Sequence, residues 1–283
     1  MGPVIAYVAS PDFELNLYIS IHSLFQSESE IKRVKVFSVG GMMPNLERLC
    51  VPVEVEEVEN RNEDYFLENK TYISEVNSEK VIYLDCDTLI IRDINKIWKK
   101  ESKSFISRRD SSYESGECFR SKSWDSILSK RNARKGAYFN SGFVGFRKGM
   151  HKRIGRSWRK ICKKEYDNRE KSDLVDLQGE KMIEQMALSI SVLRETENIG
   201  VMDEEEHVYG WEVPPESVSD STVVYHTGSR GGRHLKYAMA LARRGLVDFS
   251  EPVISSATHP LFLKLQAYSI AYRVKEFLSD LRS

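Results

Sequence analysis

Residues 81–90 read VIYLDCDTLI, four apolar or aromatic residues followed by Asp85 and Asp87 with a single cysteine between them. The apolar run predicts a buried strand that delivers both acids at its carboxyl end, and if extended backbone continues, residues two apart point to the same face. Two carboxylates can then converge on one cation. Open α/β sheets bind ligands in the crevice beyond the carboxyl ends of their strands, so the location suits a site. The plainer reading of the same residues is a capped turn, in which Asp85 or Asp87 satisfies backbone donors of the next element.

Working outward, Val4 to Ala9 reads as a buried strand, and Leu15, Ile19, His22 and Leu24 to Phe25 recur at helical spacing. Val34, Val36 and Val39 mark a second strand before a GGMMP turn, Val53, Val55 and Val58 a third, and Asp64 to Val76 a helix. Strand and helix alternate up to the aspartates, the pattern of a mostly parallel sheet covered on both faces. Beyond Asp87, TLIIRDINKIW reads as a turn into a short helix and SFIS at 104–107 as a strand. Residues 108–135 carry eight Lys or Arg against four Asp or Glu with little periodicity, which predicts a mobile surface loop. AYFNSGFVGF at 137–146 is apolar again, helical patterns cover 150–166 and 179–193, and the strand STVVY at 221–225 runs into HTGSRGGRH. The reading divides the chain into a catalytic domain over 1–245 and a helical C-terminal extension over 246–283 that docks on it, with a peripheral membrane contact as the second use of its amphipathic face.

Composition narrows the function classes. The 283 residues are 41% hydrophobic and 30% charged, a balance that folds. Lys plus Arg number 42 and Asp plus Glu number 42, so no net field draws the chain to nucleic acid. No apolar run approaches the roughly 20 residues of a membrane helix. Cys50, Cys86, Cys118 and Cys162 form neither a CxxC pair nor a dense framework, which predicts free thiols and a cytoplasmic protein.

Taken in order along the chain, five segments resemble glycosyltransferase family 8, the glycogenin and lipopolysaccharide galactosyltransferase group of the metal-dependent GT-A fold. They are VIAYVASPDFELNLYISIHSLF at the start, EKVIYLDCDTLIIRDINKIW, YFNSGFVGF at 138–146, EQMAL at 184–188 and VVYHTG at 223–228. The resemblance implies an α/β fold with a mostly parallel central sheet flanked by helices and helical C-terminal additions. It implies transfer of a sugar from a nucleotide-diphosphate donor, UDP-linked in this family, to a hydroxyl of a glycan, glycoconjugate or protein, with retention at the anomeric carbon. It further implies that Asp85, Asp87 and His226 hold a divalent ion, Mn2+ or else Mg2+. Ala9 and Ser10 would line the nucleotide pocket, Asp85 would also lie near the ribose, and Lys70 would reach the phosphates. Asn140 and Gly142 would face the donor sugar, and Gln185 would lie beneath the reacting carbon.

The chemistry of the residues points the same way. A departing nucleotide diphosphate develops negative charge that a carboxylate-held cation can stabilise, and an imidazole ligand suits Mn2+ better than Mg2+. The glycine-rich GSRGGR after His226 could turn N–H groups at Gly228 toward phosphate, with Arg230 and Arg233 adding charge-assisted bonds. The sequence departs from the family in two places. No Lys-Pro-Trp follows the histidine, which leaves Arg230, Arg233 and Lys236 open for the diphosphate, and Glu184 stands where an Asp is usual. Glu184 is the local candidate for a general base should the enzyme invert. His207, Tyr209 and Trp211 near two prolines suit sugar rings, or ordinary loop packing.

Rival readings fail on spacing. A dehalogenase-type phosphatase needs Thr two residues beyond the second Asp, where this chain has Leu89; no GxGxxG or GxxxxGK is present. A sugar nucleotidyltransferase would open with a glycine- and basic-rich loop where this chain reads ASPDFE. A sugar-nucleotide-binding module without transfer activity would have no need of Asp85, Asp87 and His226 together.

Overall fold

The strand β1, Val4–Ala9, shows how the sheet is built. Val4, Ala6 and Val8 enter one apolar cluster while Ile5, Tyr7 and Ala9 enter another, so every residue of VIAYVA is buried. An uninterrupted apolar run is what two-sided burial demands. Each fully buried Val, Leu, Ile or Phe side chain contributes about 1.5–3 kcal/mol. The structure is a computed structural model that describes residues 2–43, 46, 52–99, 103–110, 123–228, 232–249 and 267, 270 and 274.

Around β1 the main sheet adds β2 (Arg33–Val39), β3 (Val53–Val58), β4 (Val81–Leu84), β6 (Phe105–Arg109), β7 (Phe139–Phe146) and β8 (Ile199–Met202), in the order β3-β2-β1-β4-β7-β6-β8. Among the described residues, only β7 runs against its neighbours β4 and β6; the other pairings of this sheet are parallel. A second sheet of three short strands joins β5 (Thr88–Ile90), β9 (His207–Tyr209) and β10 (Val224–His226), with β10 in the middle. Helices α1 (Glu14–Gln26) and α6 (Gly232–Arg243) cover one face of the main sheet, and α3 (Met150–Asp167) and α5 (Ile183–Glu195) the other. This is the expected α/β architecture with a mostly parallel sheet.

Several elements differ from the sequence reading, each for a local reason. Residues Phe66–Glu75 wind as a 3-10 helix. TLI at 88–90 is a strand because it has a partner in β10. The short β8 and β9 carry too few residues for period-two alternation to be legible, and α6 begins within the glycine-rich stretch. Gly179, at φ +85°, separates α4 (Asp173–Gln178) from α5 where one helical pattern was expected.

The expectation of a loop over 108–135 needs correcting at both ends. Arg108 and Arg109 belong to β6, and α2 (Trp124–Lys130) is capped by Ser123 and buries Trp124, Ile127 and Leu128. Its interior, 111–122, lies outside the described residues. Just past the expected division at 246, Leu246, Val247 and Phe249 are buried in the same cluster as α1 and α6. Beyond 250 only 267, 270 and 274 are described, all helical and exposed, so docking of the extension lies outside the described residues. Among the described residues no helix is long and apolar enough to cross a membrane.

Helices α2, α3 and α4 are joined by a half-buried charge cluster. Arg131, just after α2, bonds Glu165 of α3 at 2.9 Å and Asp173 of α4 at 2.5 Å, while Ser172 donates to the other Glu165 oxygen at 2.6 Å. Burial by itself would raise the pKa of Asp173, but Arg131 and Lys130 outweigh it and leave it below the usual carboxylate value. A depressed folded pKa means that stability from this pair is present above the unfolded value near ~4 and is lost as pH falls through the folded one. Asp173→Asn should therefore lower the urea midpoint at pH 7, and the two proteins should converge as the pH falls below the usual carboxylate range.

Candidate active site

Strand β4 stops at Leu84, and the chain turns. Thr88 N–H donates to Asp85 O at 3.2 Å, closing a turn over Asp85–Cys86–Asp87 before β5 begins. The two carboxylates are brought together by that turn rather than by the pleat of a continuing strand, which corrects the sequence argument while keeping its result. A buried relay supports the turn from the core. Thr88 Oγ1 donates to Asp85 O at 2.7 Å, so Ser20 Oγ must donate to Thr88 at 3.2 Å and Tyr7 OH to Ser20 at 3.0 Å.

His226 arrives from far along the chain. Strand β10 pairs antiparallel with β5, setting His226 opposite Thr88, and Thr227 donates to Asp87 O through both N–H at 2.9 Å and Oγ1 at 3.0 Å. With its hydrogen committed there, Thr227 Oγ1 accepts from Nδ1–H of buried His234 at 3.0 Å. His226 Nε2 then lies 3.0 Å from Asp87 Oδ1, and one ligand-type atom from each of Asp85, Asp87 and His226 falls within 4.8 Å of the others. On the facing strand, Asp85 N–H donates to Gly142 O at 2.8 Å. A Cβ at Gly142 would sit 2.3 Å from His226 Cε1 and 3.0 Å from Asp85 Oδ2, so only glycine leaves room for this approach.

The donor set fits a divalent cation. Two carboxylates and an imidazole are ligands for a hard to borderline ion, and His226 Nδ1 is buried without a hydrogen-bond partner. Burial would raise the Asp87 pKa, yet His226 holds it down at about 2. For His226 burial works toward the neutral form, and Asp87 followed by Asp85 reverses that and raises the imidazole pKa.

A second cation faces Asp85. Lys70 Nζ donates to Asp85 Oδ2 at 2.9 Å and to Ser141 Oγ at 3.2 Å, and lies 3.5 Å from Glu184 Oε2. Burial alone would lower its pKa, but Asp85 and Glu184 raise it. Tyr83 OH donates to the other Asp85 oxygen at 2.6 Å. Glu184 is buried, accepts from Ser141 Oγ at 2.9 Å, and is pushed up to about 7, mainly by that burial. Gln185 Oε1 accepts from Asn140 Nδ2 and Ser141 N–H, both at 3.3 Å, which leaves its buried Nε2 without a partner. Asn140 Oδ1 in turn accepts from Gly142 N–H at 2.8 Å.

Thus most residues named from sequence share one neighbourhood. Ala9, Lys70, Asp85 and Asp87 line a cleft of about 470 Å³ at the carboxyl ends of β1 and β4. Ser10 follows Ala9 and precedes the turn Pro11–Phe13. Gly228, at φ +62°, packs against Trp211. Arg233 and Lys236 are exposed on α6, and Arg230 lies outside the described residues. His207 and Tyr209 are on β9 rather than in a loop, with ring centroids 6.0 and 5.8 Å from that of His226. Sequence reading missed Tyr83, Ser141, Thr227 and His234. Tyr83 was within reach, because its i, i+2 spacing from Asp85 is the same-face rule already applied to the aspartates.

Three solved glycosyltransferase structures share this fold. WbbM, described as a bifunctional glycosyltransferase, aligns with a TM-score of 0.60 at 12% identity over 95% of this chain and 52% of its own. The galactosyltransferase LgtC in complex with donor and acceptor sugar analogs gives 0.59 at 13% identity, covering 92% of this chain and 99% of its own. GlyE from Streptococcus pneumoniae TIGR4 gives 0.51 at 12% identity, covering 98% and 64%. The chain thus spans about half the length of WbbM and nearly all of LgtC. No curated protein matches it in sequence. The profile of glycosyl transferase family 8 matches residues 4–148, the elements that carry Lys70, Asp85, Asp87, Asn140 and Gly142. Since that match spans more than half of the 283 residues, the chain belongs to glycosyl transferase family 8 and is a glycosyltransferase.

Proposed function

We propose that this glycosyltransferase moves a sugar from a UDP-linked donor to a hydroxyl acceptor with retention, using a divalent cation, Mn2+ in preference to Mg2+, held by Asp85, Asp87 and His226. One observation carries the reading. Three ligand-type side chains from two different sheets meet within 4.8 Å beside a cleft at the carboxyl ends of the strands. When bound there, the cation supplies Lewis acidity toward the departing diphosphate.

The chain's own groups supply the rest. Lys70 adds positive charge next to Asp85, where a leaving diphosphate gains negative charge. Ala9 and Ser10 present small side chains at the end of β1, leaving room for a planar base. Asn140 and Gly142 sit across from Asp85 and would face the donor sugar, with Gln185 Nε2 as an uncommitted donor behind them. With its carboxylate enclosed by Ser141 and Lys70, Glu184 is poorly placed to take a proton from an incoming hydroxyl, which favours retention over inversion. Cys86 and Cys162 are buried free thiols, in keeping with action in the cytoplasm.

Three measurements test this. A panel of sugar nucleotides should show hydrolysis that requires Mn2+ and disappears with a chelator, and Asp87→Ala should lower it by about 100-fold or more while the circular dichroism spectrum is kept. Near-wild-type turnover in that variant would remove the cation site. Gly142→Ala should likewise cut turnover and weaken Mn2+-dependent UDP binding by calorimetry, because the new methyl displaces His226. NMR of the first-formed product should give the donor's anomeric configuration; the opposite configuration would return Glu184 to the role of base.

A further inference from the structure

We infer that Trp211 is the stacking platform for the acceptor, and that the acceptor hydroxyl is therefore carried on a sugar ring rather than on a serine or threonine side chain. This rests on the transferase reading above and adds the acceptor's chemical class to it.

The first observation is exposure. Trp98, Trp124 and Trp158 are 7%, 4% and 0% exposed, whereas Trp211 is 59% exposed. Trp211 is thus the one described tryptophan whose ring is open to a ligand. The second is rigidity. Trp211 stacks on Tyr209 with ring centroids 4.4 Å apart and planes at 9°, and the Arg108 guanidinium lies 3.9 Å from the centre of the Tyr209 ring. Arg108 is itself fixed, donating to His207 O at 2.9 Å and to Glu212 at 2.7 Å. The turn beneath Trp211 is closed by Glu212 and Val213 N–H, both 2.9 Å from Tyr209 O. Little conformational entropy is left to lose when a ligand settles on such a ring.

The third observation is position. Gly210 N–H donates to His226 O at 2.8 Å, which ties the Trp211 turn to the backbone of a cation ligand. The Trp211 and His226 rings are 5.8 Å apart, and Gly228 accommodates the indole where a Cβ would come within 2.2 Å of it. Trp211 does not line the cleft that holds Ala9, Lys70, Asp85 and Asp87. It adjoins the reacting region without forming part of the donor cleft, which is where an acceptor has to approach. A pyranose presents a flat face of C–H groups to an indole and hydroxyls around its rim, for which the indole N–H is a donor. A serine or threonine side chain offers no such face.

The test combines tryptophan emission with kinetics. Methyl pyranosides, lactose and maltose titrated into the protein with UDP and Mn2+ should shift the emission of the exposed Trp211 for at least one sugar, and Trp211→Phe should remove that shift. With that sugar as acceptor, Trp211→Ala should raise its KM by about tenfold while Trp211→Phe stays near wild type. Donor hydrolysis without acceptor and UDP affinity should be unchanged in both variants. An unaltered acceptor KM in Trp211→Ala, weaker UDP binding in that variant, or no emission change with any sugar would overturn the assignment. Loss of Mn2+-dependent donor hydrolysis from the wild type would instead overturn the transferase reading itself, so the two failures are told apart.

Discussion

Burying carboxylates next to one another is the constraint around which this molecule is organised. Asp85, Asp87 and Glu184 crowd the end of β4, and an uncompensated charge in such surroundings costs several kcal/mol. Each is met by a partner delivered from elsewhere in the chain. Lys70 from the 3-10 helix stands between Asp85 and Glu184, and His226 from β10 meets Asp87. Glu184 is the least well served, being buried with one oxygen lacking a partner, and its affinity for a proton rises accordingly. Crowding of this kind is hard to rationalise as a route to stability alone and is typical of sites that have to receive a cation.

The two-sheet design follows from that requirement. Strand β4 presents Asp85 at its end, but the imidazole that meets Asp87 belongs to another sheet. The turn after β4 solves this by handing the chain to β5, which belongs to the smaller sheet and pairs with β10. Strand β7, antiparallel to its neighbours, closes the other side with Gly142. The Tyr7–Ser20–Thr88 relay then ties the turn to β1 and α1, which lets the core fix a polar feature.

Much of this was legible in the sequence. VIAYVA and VIYL announce two-sided burial, and the order of the aspartates, the Asn-Ser-Gly strand and His226 outlines one site. What could not be read has physical reasons. Strands of three or four residues such as β5, β8 and β9 are defined by their partners and not by their own pattern. Whether Asp85 and Asp87 converge through a pleat or a turn depends on where the backbone of Thr88 bonds. The core role of Trp124, Ile127 and Leu128 was hidden because the flanking segments are strongly charged. Arg131 looked like solvated surface, although its partners Glu165 and Asp173 lie 34 and 42 residues away.

The hydrogen bond from Gly210 to His226 O has a consequence for how such a protein can diversify. It joins the Trp211 turn to a strand of the inner machinery, so side chains at the rim can be exchanged while the backbone beneath them stays put. The surroundings of Asp85, Asp87 and His226 would stay constant, and the rim around Trp211 would act as an interchangeable faceplate. A lineage could then acquire new customers for the same reaction without rebuilding the engine.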